Sequence, residues 1–430
     1  MNPKICVYGL WHLGCVTAAC LASAGFQVVG LDPDEPRVED LRKALPPIDE
    51  PGLAELVREG IHARRLSFTS DPAEALSDSD VVWLTFDTPI DAADNADPGW
   101  VRAQIDAIAE RVRAGTLVLI SSQVPVGFTA ALQQQWRKND PTLRFAYSPE
   151  NLRLGRALES FRNPARVIVG LSDVRARDLV AQLFAPFSTQ IEWMSQEAAE
   201  MTKHALNGFL ALSVAYANEL ARICERVGAD ALEVERGLRS DSRVGLAPYL
   251  SPGAPIAGGT LLRDVAFLAQ LARQHEVDAP IVGAVHESND AHRAWARDQV
   301  GELLHGIDSP KVAILGLTYK AGTDTLRGSG ALEFARWLGD RGIRVAAYDP
   351  AVRQLPAGYD SISLAANVEE ALSAADVALI ATPWPVFRSI DAEQLARHMR
   401  RLNVIDQAGF LLGLADDPRV RYVRVGRPRN

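Results

Sequence analysis

The chain has 430 residues, 47% of them hydrophobic and 23% charged, enough for two or three domains with substantial cores. Its net charge of −9 argues against nucleic acid or an anionic membrane as the main partner, while local basic groups can still hold a phosphate ligand. No apolar stretch approaches about 20 residues, so no membrane span is expected. In chain order, Met1-Asn2-Pro3-Lys4 runs straight into a strand pattern without a charged leader and cleavage site, and a cytoplasmic location is expected. The apolar run 5–8 ends at Gly9 and reads as a buried parallel strand. A helix follows through Cys20 and Ala24, stopped by Gly25, and 27–31 forms a second strand ending at Asp32. Residues 81–84 and 117–120 supply further strands. From Ser195, a plausible N-cap, a long helix runs to Val227 and stops at Gly228, with Glu197 and Glu200 in its first turns. Helical sequence continues to about Leu304. Strand signals then return at 311–316, 344–349 and 377–380. Gly316 and Asp349 echo Gly9 and Asp32, and Thr382-Pro383 echoes Thr88-Pro89.

Alternating strands and helices of this kind imply an α/β protein with two Rossmann-like, doubly wound parallel-sheet lobes joined by a helical central domain. The expected divisions are 1–194, 195–305 and 306–430. The first turn, Gly9-Leu10-Trp11-His12-Leu13-Gly14, with Asp32 ending the next strand, is a dinucleotide signal. An acidic group there bonds an adenosine ribose and repels a 2′-phosphate, which favours NAD over NADP. Trp11 stands where the fingerprint wants glycine. Either the loop is reshaped with the indole turned away, or the indole blocks the site. Cys6, Cys15, Cys20 and Cys224 lie in apolar segments and read as small core residues. No metal constellation is expected, and neither His12 nor His204 has a carboxylate at a telling spacing, which points to structural or cofactor-adjacent roles.

Further motifs carry a resemblance. Pro47-Ile48-Asp49-Glu50-Pro51-Gly52-Leu53, Ser122-Gln123-Val124-Pro125-Val126-Gly127, Ser148-Pro149-Glu150-Asn151-Leu152-Arg153-Leu154-Gly155 and Gly316-Leu317-Thr318-Tyr319-Lys320-Ala321-Gly322-Thr323-Asp324-Thr325-Leu326-Arg327 are each similar to motifs of the UDP-glucose/GDP-mannose dehydrogenase family. The resemblance runs from end to end. It implies that Gly9, Trp11, His12, Leu13, Gly14, Asp32, Arg37, Thr88, Pro89, Ser122 and Arg327 line a cofactor site. It likewise implies Leu152, Arg153, Arg243, Tyr249, Gly258 and Lys320 for the substrate. Arg243 would reach it across a subunit boundary in a homodimer.

Lys203 and Asn207 stand at i and i+4 on the long helix, so they share a face. By resemblance they are catalytic, together with Asp264 and Glu150. An alcohol that loses hydride must also lose its proton, and a partly desolvated lysine can act as base or as oxyanion stabiliser while an amide orients the oxygen. Taken alone, a lysine and an asparagine so spaced would read as a solvated surface.

The departures fall together. Gly258-Gly259-Thr260-Leu261-Leu262-Arg263-Asp264 matches the segment where the family carries Gly-Gly-Ser-Cys, so Leu261 stands in place of the nucleophile and no cysteine follows Cys224. Gln123 replaces a threonine and Leu154 a glutamate, and Gly328 stands for another glutamate. A thiol is what captures an aldehyde for a second oxidation. The expectation is therefore an NAD-dependent dehydrogenase that performs one two-electron oxidation of a CH–OH group, on a sugar nucleotide or related phosphorylated polyol. The alternatives are a catalytically silent NAD or nucleotide-sugar binder, and a four-electron dehydrogenase that works without cysteine.

Overall fold

The computed structural model describes residues 2–89, 96–150, 152–257 and 260–428. The chain divides into two compact units, Met1–Ala205 and Leu206–Asn430. Residues 206–304, expected as part of a separate middle domain, group with the second unit.

The first unit is built on eight strands: β1 (Lys4–Tyr8), β2 (Gln27–Leu31), β3 (Leu66–Thr69), β4 (Val81–Leu84), β5 (Leu117–Ile120), β6 (Arg144–Tyr147), β7 (Val167–Leu171) and β8 (Ile191–Met194). Their order in the sheet is β3-β2-β1-β4-β5-β6-β7-β8. The reversal beside β1 opens the sheet at the carboxyl ends of β1 and β4, where open α/β sheets bind ligands. Strands β4 and β5 are buried throughout because helices cover both faces, which explains their unbroken apolar sequences. One pair departs from the expected parallel sheet: β6 and β7 run antiparallel, through Ala146 opposite Leu171 and Tyr147 opposite Gly170.

The second unit contains β9 (Lys311–Leu315), β10 (Arg344–Tyr348), β11 (Ile362–Leu364), β12 (Val377–Ile380), β13 (Asn403–Asp406) and β14 (Arg421–Val423), in the order β11-β10-β9-β12-β13-β14. The first six strands of the first sheet follow the same order, so the echo seen in the sequence is a structural repeat. Gly9 (φ +102°) and Gly316 (φ +92°) open the equivalent turns in a conformation that favours glycine. A Cβ at Gly316 would come within 2.4 Å of the Thr382 side chain, so the turn is closed to other residues on steric grounds as well.

The helix Gln196–Val227 ends where Gly228 turns into the left-handed region, and the hydroxyl of Ser195 accepts from the Ala198 amide at 3.1 Å. No described helix is long and apolar enough to cross a membrane.

Candidate functional site

In the first unit the turn after β1 leads into the helix His12–Ser23. A Cβ on Gly14 would lie 1.9 Å from the Gly9 carbonyl oxygen, so helix and strand approach this closely only with glycine. The helix has Trp11 at its N-cap and no side-chain cap, whereas the helices opening after Asp34, Asp71 and Asp97 are each capped by a carboxylate. Its first amides are thus left for an anion, and the dipole favours one. The Trp11 backbone is extended (φ −92°, ψ −152°). Its indole is 39% exposed and lies under the Arg37 guanidinium, 5.2 Å from the ring centre. The indole is thus turned toward Arg37, which itself pairs with Asp32.

Asp32 is buried at the end of β2. One carboxylate oxygen accepts from Leu10 N at 2.6 Å, and the other from Asp34 N at 3.0 Å and Arg37 Nη1 at 2.9 Å. A carboxylate has about four acceptor positions, so one is left for a ribose hydroxyl. Thr88 donates to the Gln123 carbonyl, Pro89 is half-buried and Leu13 is buried. The buried Ser122 hydroxyl has no hydrogen-bond partner among the described residues. Uncapped amides, glycines shaped for close approach, an oriented carboxylate and an unpaired hydroxyl fit an adenine dinucleotide.

His12 has a partner that sequence spacing did not reveal. Its Nε2 lies 3.0 Å from the buried Glu50 carboxylate, which also accepts from Gly155 N at 2.8 Å and Ala157 N at 2.7 Å. Glu50 thereby ties the dinucleotide turn to the segment that follows Glu150. The two residues are 38 positions apart, and only folding brings them together.

Lys203 is buried on the long helix. Its Nζ donates to the Glu150 carbonyl at 2.6 Å and lies 3.4 Å from Glu150 Oε1, while Glu150 Oε2 accepts from Leu152 N at 2.6 Å. The solvated-surface alternative is thereby excluded for Lys203. One turn earlier, Glu200 accepts from Gly127 N at 2.5 Å and Thr129 N at 2.9 Å, capping the helix Phe128–Trp136; burial pushes its carboxyl upward. His204 Nε2 lies 2.9 Å from the Val124 carbonyl. Glu200 was not foreseen as an anchor, since a glutamate in the first turns of a helix needs no further explanation. Leu152 is half-buried and Arg153 is exposed.

In the second unit Asn207 donates from Nδ2 to Asp264, which is fully buried in the helix Thr260–Gln274. Leu261 lies one turn before Asp264 and packs against Ile256, Leu262 and Val265. Arg243 is exposed and pairs with Asp241 at 2.7 Å, Tyr249 is exposed, and Lys320 Nζ lies 5.6 Å above the Tyr319 ring. Arg327 is exposed, and Gly258 lies outside the described residues. Asp349 repeats the role of Asp32, accepting from Leu317 N at 2.7 Å and Thr318 N at 3.0 Å.

All four cysteines are buried. Burial raises their thiols, Cys20 to about 12, so none is poised as a nucleophile. No group of three or more potential metal ligands occurs among the described residues.

Three family models match in chain order. They are the NAD binding domain of the UDP-glucose/GDP-mannose dehydrogenase family at residues 3–188, its central domain at 197–291 and its UDP binding domain at 313–411. The chain is 33% identical over 439 residues to a UDP-glucose 6-dehydrogenase of Rhizobium meliloti, a match that spans 99% of this chain and 100% of that one. Among solved structures it resembles a UDP-glucose dehydrogenase from Pyrobaculum islandicum (TM-score 0.89, 28% identity, 100% of this chain and 98% of that one). It also resembles a UDP-D-ManNAc dehydrogenase from Pyrococcus horikoshii (TM-score 0.87, 26% identity, 99% of each chain). With its dinucleotide turn, its repeated sheets and matches that run from end to end, this chain belongs to the UDP-glucose/GDP-mannose dehydrogenase family and is an NAD-dependent dehydrogenase acting on CH–OH groups.

Proposed function

We propose that this dehydrogenase oxidises a CH–OH group of a UDP-sugar by one two-electron step and releases an aldehyde or ketone. The observation that carries this reading is a set of groups suited to the first oxidation without a thiol for the second. Lys203 beside Glu150, and Asn207 beside Asp264, are held in place, while every cysteine is buried and Leu261 packs into an apolar cluster. When bound, NAD supplies the hydride acceptor. The remaining work is protonic. Lys203 Nζ takes the hydroxyl proton as the hydride leaves, and the ammonium so formed holds the oxygen. Asn207, fixed by Asp264, orients that oxygen. The substrate class rests on the UDP binding domain model and on relatives named for UDP-glucose and UDP-D-ManNAc. Gly258, Tyr249, Lys320 and the partner-directed Arg243 are assigned to that ligand, Arg327 to NAD, and the three-part division at 194/195 and 305/306 belongs to the same reading.

The second reading is a four-electron oxidation to the acid without a thiol, favoured by relatives that are named UDP-glucose 6-dehydrogenase. Incubation with a panel of UDP- and GDP-sugars, with NADH and product mass read together, separates the two. One NADH per product and a loss of two mass units is expected, whereas two NADH and a carboxylate would overturn the one-step reading.

A further inference from the structure

The segment Gly253-Ala254-Pro255-Ile256 belongs to no helix or strand, yet its backbone is held by side chains from two helices. Asn218, on the helix Gln196–Val227, accepts from Gly253 N at 2.9 Å and donates to the Ala254 carbonyl at 3.3 Å. From the helix Pro280–Leu304, Asn289 accepts from Ile256 N at 2.7 Å and donates to its carbonyl at 3.3 Å. One turn on, His292 Nε2 lies 2.7 Å from the Gly253 carbonyl, an acceptor, so the ring nitrogen is the donor. These are the hydrogen bonds that the Gly253–Ile256 backbone makes among the described residues, and Asn218, Asn289 and His292 are each almost wholly buried.

Placing three polar side chains in the interior carries a desolvation cost that only satisfied partners offset. Here the partners are the backbone of one short segment, and of the ring nitrogens of His292 only Nε2 finds one, Nδ1 being buried without a partner among the described residues. Ile256 inserts its side chain into the cluster with Leu262 and Val265, and Pro255 restricts the backbone between the two anchor points. Downstream, Asp264 is held by Asn207, which lies 11 residues before Asn218 and so three turns away on the same helix face. Ile256 and Asp264 are therefore each fixed, the one by Asn289 and its apolar cluster, the other by Asn207.

We propose that Asn218, Asn289 and His292 are positioning residues for the reaction. By holding the Gly253–Ile256 backbone they fix the chain that follows Tyr249, where the proposed reading puts the nucleotide sugar. The inference rests on the proposed nucleotide-sugar reading. It differs from a purely structural role in one respect: disturbing the clamp acts on substrate and leaves NAD alone.

The test compares His292→Leu, which removes the donor to Gly253, with His292→Gln, whose amide can supply one. The readouts are KM for UDP-glucose, kcat, NAD affinity by titration, UDP-glucose affinity by calorimetry and melting temperature. His292→Leu is expected to raise KM and weaken UDP-glucose binding at least about tenfold, with kcat lowered less than about threefold and NAD affinity within about twofold. His292→Gln should recover most of the loss. Equal losses for NAD and UDP-glucose, an unchanged KM in His292→Leu, or a Gln variant as impaired as Leu would each overturn the proposal. If His292→Leu does not fold, Asn218→Ala is judged by the same criteria. A parent enzyme that binds none of a panel of UDP-sugars would overturn the nucleotide-sugar reading itself, whereas a parent that binds one and variants that behave alike toward it would overturn only the clamp.

Discussion

Lys203 carries most of the chemical expectation, and its surroundings explain why. A buried Nζ 2.6 Å from a carbonyl and 3.4 Å from a carboxylate is held at one point, ready to meet a substrate oxygen. Replacing it with alanine should lower kcat by about 10²–10⁴-fold while NAD affinity, measured by fluorescence titration, changes little. A silent binder would have no turnover to lose, so measurable parent activity that survives Lys203→Ala would remove the lysine from its proposed role. The motif context made Lys203, Asn207, Asp264 and Glu150 legible as candidates. Which of them pair was not legible, because Glu150 lies 53 residues from Lys203 and only β6 and its following loop deliver it.

At the scale of elements, buried polar groups hold the segments that matter. Glu200 caps the helix Phe128–Trp136 through two amides. Glu200→Ala should destabilise the first unit by about 2–4 kcal/mol, read from denaturant unfolding, because it leaves buried donors unmet. His292 makes a pH-dependent contribution of its own. Burial holds its pKa down at about 4, against an ordinary value of 6.5, and Arg222 adds to the effect. Below pH 6.5 the unfolded chain takes up a proton that the folded ring refuses. The stabilisation is therefore complete above that value and is lost as pH falls toward 4, by up to about 3 kcal/mol. Melting curves at pH 7.5 and 4.5 should show this loss in the parent and a smaller one in His292→Gln.

For the whole molecule, the two compact units divide the ligand signals. The NAD binding domain model falls within the first unit and the UDP binding domain model within the second. In calorimetric scans, NAD at a hundredfold excess over its Kd should stabilise the first unit by about 2.7 kcal/mol, and UDP-glucose should do the same for the second. Hydrogen exchange mapped along the chain assigns each effect. Protection by NAD confined to residues 206–430 would contradict the assignment of the dinucleotide turn.

The sequence by itself determined the α/β grammar, the repeat of Gly9 and Asp32 in Gly316 and Asp349, and the span of the long helix. These follow from local periodicity and from glycines that few other residues can replace. Residue order alone also determined that no cysteine follows Cys224. Tertiary structure alone decided the antiparallel turn of β7 against β6, the Glu50 link between His12 and Gly155, the orientation of the Trp11 indole toward Arg37, and the clamp on Gly253–Ile256. Each of these joins residues far apart in the chain or depends on which way a side chain turns. Such contacts form because buried polar groups must find partners, and the identity of the partner is set by the fold.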